Sequence, residues 1–192
     1  MKIIDNLKDG QQILKANNIP SYKIDCEILM SKSLNISRED VLLNLEKHIK
    51  KEEREKYFNL INRRKKKEPI AYILGYKYFW KYKFLINKSV LVPRPETEHI
   101  VEEALNCLPP NKFKNILDIG TGSGCIIISV LKERIKCNAI AIDISSKALK
   151  VAKTNAKMHH LENKIKFFNI NIDKFNSNKY DLILTNPPYI DK

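Results

Sequence analysis

The chain has 192 residues, 43% of them hydrophobic and 30% charged, which suits one ordinary globular domain or a small and a medium one. No apolar run reaches the ~18 residues needed to span a bilayer, and the opening Met1-Lys2-Ile3-Ile4-Asp5 meets charge too early for a secretory signal. A cytoplasmic protein without membrane contact is therefore expected.

The formal net charge of +13 invites a nucleic-acid partner, yet 29 of the 35 basic residues are Lys and only six are Arg. Arg is the better mark of specific phosphate contacts. The four cysteines lie far apart, with no CxxC pair and no His at ligand spacing, so free thiols are expected and no metal site.

Residues 1–74 read as a helical bundle. Ile3, Ile4, Leu7, Ile13 and Leu14 recur at helical spacing, and Asn18-Ile19-Pro20 breaks that helix. Ser21 is placed to cap a second helix with Ile24, Ile28 and Leu29 on its apolar face. Ser37-Arg38-Glu39-Asp40 resembles a capping box opening a short helix through Leu42 and Leu43. A long charged helix follows with Tyr57, Phe58, Leu60 and Ile61 inward, ending before Pro69. The basic cluster Arg63-Arg64-Lys65-Lys66-Lys67 has two readings, a solvated helix end or a docking patch for RNA or an acidic partner. The bundle carries no catalytic constellation, so it reads as a packing or recognition module.

Residues 75–92 are rich in Tyr, Phe, Trp, Ile and Val. They suggest a β-hairpin linker with its turn at Asn87-Lys88. Over residues 93–192 a helix starts near Pro95, and the rhythm then becomes strand, helix, strand, helix. Strands are expected at Asn115–Ile119, Ala139–Asp143, Ile165–Ile170 and Asp181–Thr185, with helices at Ile126–Glu133 and Lys147–Met158. That alternation predicts an α/β fold, a parallel sheet with helices on both faces.

Asp118-Ile119-Gly120-Thr121-Gly122-Ser123-Gly124 falls between a strand and a helix. The dinucleotide fingerprint needs a glycine at position 125, where Cys125 stands. The G-x-G-x-G spacing makes little provision for pyrophosphate and suits the amino-acid end of S-adenosylmethionine. Gly120, Thr121, Gly122, Ser123 and Gly124 are thus expected to bind cofactor. Asp143, 23 residues after Gly120 at the tip of the second strand, is expected to take the ribose hydroxyls. Asp118 is expected to face the ligand's ammonium.

Asn186-Pro187-Pro188-Tyr189 follows the fourth strand and so faces the same crevice. An amide or exocyclic amine is a poor nucleophile because its lone pair is delocalised. The Asn186 side-chain oxygen and the Pro187 carbonyl can each accept one N–H of an NH₂ group and aim that lone pair at a methyl donor. Tyr189 can stack on the planar group, and Pro187 and Pro188 stiffen the loop. Asn186, Pro187 and Tyr189 are the expected catalytic residues, Asn186 to Tyr189 the substrate site, and Asn186 also a cofactor neighbour.

Four stretches together resemble the PrmC/HemK family of protein-(glutamine-N5) methyltransferases: Glu68 to Gly75, Leu91 to Glu98, Leu117 to Gly124 and Asn186 to Ile190. Pro93-Arg94-Pro95-Glu96-Thr97-Glu98 is the discriminating one. The resemblance implies a Rossmann-like S-adenosylmethionine methyltransferase. It implies as substrate the glutamine of the Gly-Gly-Gln loop of peptide-chain release factors, docked with help from the N-terminal bundle. For the residues beside adenine it offers Asn171-Ile172, or Asp173 in a shifted register. The family sheet has seven strands ordered 3-2-1-4-5-7-6, of which this sequence supplies strands 1 to 4. The resemblance therefore implies a C-terminally truncated member with weak or no activity alone. Two other readings stand beside it: a DNA or RNA amino-methyltransferase using the basic surface, and a non-catalytic remnant that only binds a partner.

Overall fold

The computed structural model describes residues 1–176 and 179–187. The chain divides into two compact units, Met1–Leu74 and Gly75–Lys192. No helix among the described residues is long and apolar enough to cross a membrane.

The first unit is all helical: α1 Ile3–Ala16, α2 Tyr22–Leu34, α3 Arg38–Leu43, α4 Lys51–Lys65 and α5 Ile70–Leu74. Its core gathers Ile3, Leu7 and Leu14 from α1, Leu29 and Met30 from α2, and Tyr57 and Ile61 from α4. The expected capping box forms, the Asp40 N–H donating to Ser37 Oγ at 2.9 Å while Asp40 accepts from the Ser37 N–H at 3.3 Å. The buried face of α2 differs from expectation. Leu29 is buried as expected, but Ile24 is 52% exposed, and Asp25, Cys26, Met30 and Ser33 are buried beside Leu29. Asp25 turns the helix, because its carboxylate is buried against Arg64 Nε at 2.7 Å and the Ser21 hydroxyl at 2.8 Å. Ser21 therefore bonds a side chain rather than capping the backbone. The same pairing redefines the basic cluster. Arg64 is spent on Asp25, and Arg63 makes a two-pronged pair with Glu68 at 2.9 and 2.7 Å.

The second unit begins with a hairpin, β1 Tyr76–Phe79 and β2 Tyr82–Leu85, in antiparallel register from Tyr76↔Leu85 to Phe79↔Tyr82. Its turn is Trp80-Lys81 rather than the expected Asn87-Lys88. Trp80 takes a left-handed φ of 54°, rare for a bulky residue, and is held there from two sides. Its N–H donates to Glu98 at 2.7 Å, and its indole N–H donates to Glu133 at 3.2 Å. Asn87 makes a separate turn, accepting from the Ser89 N–H at 2.8 Å.

A 3₁₀ turn, Pro95–Thr97, leads into α6 Glu98–Cys107. The α/β part follows: β3 Asn115–Ile119, α7 Cys125–Glu133, β4 Asn138–Asp143, α8 Ser146–Met158, β5 Ile165–Asn169 and β6 Leu182–Thr185. All strands are parallel, in the order β5-β4-β3-β6. The register Leu184↔Asp118↔Ala141↔Phe167 puts these four side chains on one face. That face meets the helices, and Ile116, Ala139, Ala141, Ile165 and Leu184 join the core there with Ile127, Val130 and Leu131 of α7.

The expectation of helices on both faces is corrected. Among the described residues, α6 packs beside α7 and α7 beside α8, so all three lie on one face. Right-handed crossovers explain this. From β3 to β4 to β5 the sheet grows in one direction, which keeps the connections on one side. The return from β5 to β6 runs the other way, and over its described part it carries only a 3₁₀ turn, Ile172–Lys174. Phe168 and Ile183, on the face away from the helices, are 44% and 56% exposed.

Candidate active site

Strand order reverses at β3, with β4 and β5 to one side and β6 to the other. The carboxyl ends beside such a reversal form the crevice in which open α/β sheets bind ligands. The glycine turn leaves β3 at that point, and Asn186 leaves β6.

The turn needs its glycines for conformation. Gly120, Gly122 and Gly124 have φ of 70°, 56° and 78°, values that strain any residue with a Cβ. A Cβ on Gly120 would meet nothing within 4 Å, whereas one on Gly124 would lie 3.0 Å from Ile128 Cδ1. The first glycine thus leaves room for a ligand, and the third lets α7 pack closely. The Gly120 and Thr121 N–H groups are tied to the Ile142 carbonyl at 2.9 and 3.0 Å. Ser123 is buried, and its carbonyl accepts from the Asn155 side chain at 2.8 Å.

Two acids organise the turn in different ways. Asp143 ends β4 half-buried, accepting from the Gly122 N–H at 2.9 Å and the Ser145 N–H at 2.8 Å. Each carboxylate oxygen keeps a second lone pair for a ligand hydroxyl. Asp118 is 1% exposed and lies on the helix-covered face, so it does not open on the crevice as expected. It accepts from the Thr121 hydroxyl at 2.6 Å and anchors the turn from beneath. Burial pushes its carboxyl up to about 7; the Thr121 bond offsets part of that rise and the Asp143 charge adds to it.

These parts meet in a cavity of about 340 Å³, whose lining includes Gly120, Asp143, Ile144, Ile172, Asn186 and Pro187. That volume lies within the ~300–1,000 Å³ range of small-molecule sites. The residues present fit S-adenosylmethionine: a backbone without Cβ, a carboxylate at a strand tip, and apolar side chains at Ile144 and Ile172 for a flat ring. Among the described residues no Lys or Arg lines the cavity, in keeping with a ligand that carries no phosphate. Asn171 and Ile172 line it and Asp173 does not, which places the first of the two adenine alternatives at the cavity.

Asn186 is half-buried, and its side-chain NH₂ donates to the Thr97 hydroxyl at 3.3 Å. The preceding Thr185 is pinned by its own hydroxyl to the Ile119 carbonyl at 3.2 Å. Pro188 and Tyr189 lie outside the described residues. Thr97 and Asn155 are site contributors to which sequence reasoning gave no role. The signal for Thr97 was its membership of the Pro-Arg-Pro-Glu-Thr-Glu stretch. Asn155 carried none, being an ordinary polar residue in a helix.

Residues 5–75 match the family model of the PrmC N-terminal domain, and residues 102–192 match that of the methyltransferase small domain. A release factor glutamine methyltransferase of Clostridium botulinum is 39% identical over 99% of this chain and 68% of its own length. One of Leptospira interrogans is 41% identical over 98% of this chain and 67% of its own. The chain belongs to the release factor glutamine methyltransferase family. It spans about two thirds of the length of these two relatives. It also matches 40% of a bifunctional methyltransferase of Rickettsia conorii at 35% identity.

Proposed function

We propose that this chain binds S-adenosylmethionine in the β3–β6 crevice and directs methylation of the side-chain amide nitrogen of the glutamine in the Gly-Gly-Gln motif of peptide-chain release factors. One observation carries the reading: Gly120, Asp143, Asn186 and Pro187 line a single cavity at the carboxyl ends of the parallel strands. The names of the relatives supply the substrate.

S-adenosylmethionine, when bound, supplies an electrophilic methyl group on a sulfonium. The chain's own residues do the rest. Gly120 and Gly122 let the backbone approach the ligand, and Asp143 takes the ribose hydroxyls. The Asn186 side-chain oxygen and the Pro187 carbonyl accept the two N–H bonds of the substrate NH₂. That fixes the nitrogen in line with the methyl and favours the positive charge growing on it. Tyr189 stacks on the amide plane. No ionisable base is required while the bond forms. The first unit docks the release factor.

Incubation with labelled S-adenosylmethionine and release factor tests this. Label is expected on the Gly-Gly-Gln glutamine, and none on a factor with that glutamine replaced by Ala. Asn186→Ala is expected to lower the rate by ~100-fold or more, the size typical of losing one preorganised group at a reacting centre. Equal labelling of both factors would contradict the reading.

A further inference from the structure

Asp143 is the last residue of β4, and the sheet register sets it opposite Asn169, the last residue of β5. One further backbone bond follows, the Ile170 N–H donating to the Asp143 carbonyl at 3.2 Å. Beyond it the chain leaves the sheet through Ile144 and Ser145 and enters α8. The Asn169 side chain takes over there. Its NH₂ donates to the Asp143 carbonyl at 2.9 Å and to the Ile144 carbonyl at 2.9 Å. A backbone carbonyl can only accept, so both bonds require the NH₂ end of the amide, and both of its hydrogens are used. Asn169 is exposed on the edge strand of the sheet, so its side chain fills no core.

The loop that this amide holds carries two residues of the cavity lining, Asp143 and Ile144, whereas Asn169 does not itself line the cavity. The Gly122 and Ser145 N–H groups fix the Asp143 carboxylate, and Asn169 fixes the backbone on which that carboxylate is mounted. We propose that Asn169 is a positioning residue for the cofactor, clamping the Asp143–Ile144 loop to β5 so that the Asp143 carboxylate stands ready for the ribose hydroxyls before the ligand arrives. A loop left free would have to be ordered by the ligand, at the expense of affinity. The inference rests on the proposed role of Asp143 and deepens it, since the ribose contact becomes a property of two strand ends together.

The test is calorimetry with S-adenosylmethionine on the full chain. Asn169→Ala lacks the donors, and Asn169→Asp keeps the size but sets a carboxylate against two carbonyl oxygens. Asn169→Ala is expected to raise the cofactor Kd about fivefold, the worth of one net hydrogen bond, and Asn169→Asp by about tenfold or more. The thermal unfolding midpoint of Asn169→Ala is expected to stay within about 3 °C of wild type, because the side chain is exposed. A larger fall would mark a folding role and overturn the inference. In an Asp143→Ala background, Asn169→Ala is expected to cost no more than about twofold, because the carboxylate it positions is gone. Undiminished affinity in both Asn169 variants would overturn the inference, as would the same loss with and without the Asp143 carboxylate. If Asp143→Ala alone binds as tightly as wild type, or wild type binds no cofactor, the reading of Asp143 falls and the inference with it. A loss in Asp143→Ala without one in the Asn169 variants overturns the inference and leaves that reading standing.

Discussion

At the scale of single residues, the acid at the end of β3 couples the site to pH. Asp118 has an ordinary carboxyl value of 3.8 and is pushed up to about 7 by burial. The folded state therefore holds its proton where the unfolded state has lost it. Stability from this group is complete below about pH 4 and is lost as pH rises through 7. Asp118→Asn keeps an acceptor for the Thr121 hydroxyl without the charge. Urea midpoints of the two proteins are expected to diverge as pH rises from 4 to 8, the variant gaining at most ~4 kcal/mol relative to wild type. Parallel pH profiles would mean that Asp118 is not buried as described. Sequence alone pointed to Asp118 but gave it the wrong neighbour. It could not show that this side chain is buried beneath the glycine turn, where it accepts from the Thr121 hydroxyl.

At the scale of elements, one buried side chain joins three of them. Asn155 of α8 is fully buried; it accepts from the Leu85 N–H of β2 at 2.8 Å and donates to the Leu85 carbonyl at 2.9 Å and the Ser123 carbonyl at 2.8 Å. Asn155→Leu, close in volume, would leave three backbone groups without partners. We expect a loss on the order of 3 kcal/mol in denaturant unfolding, with faster hydrogen exchange at the Leu85 amide. An unchanged Leu85 amide would refute the link.

The strands and helices after residue 114 were legible because glycines, prolines and single acids punctuate buried runs of Ile, Leu and Ala. The hairpin's turn was not, since nothing marks Trp80 as a left-handed residue. Glu98 and Glu133, 18 and 53 positions away, accept its two N–H groups there. The face of α2 was missed for a related reason: burial of Asp25 depends on Arg64, 39 positions away. Local pattern predicts what local forces decide, and these two features are decided by distant charges.

For the whole molecule, two separate apolar cores divide the labour. One fills a helical unit, and the other a unit with a parallel sheet whose strand reversal brings Gly120, Asp143, Asn186 and Pro187 to one cavity. The net charge of +13 invites a nucleic-acid partner, but both arginines of the basic cluster are bound to acids within the first unit. The amide-directed acceptor pair is chemically suited to a base amine as well as to glutamine. A direct competition therefore decides between them. The chain is given labelled S-adenosylmethionine with release factor and nucleic acid in one mixture, and the label is located by mass spectrometry. The account predicts one methyl group on the Gly-Gly-Gln glutamine and none on any base. Label on bases with the glutamine untouched would contradict it.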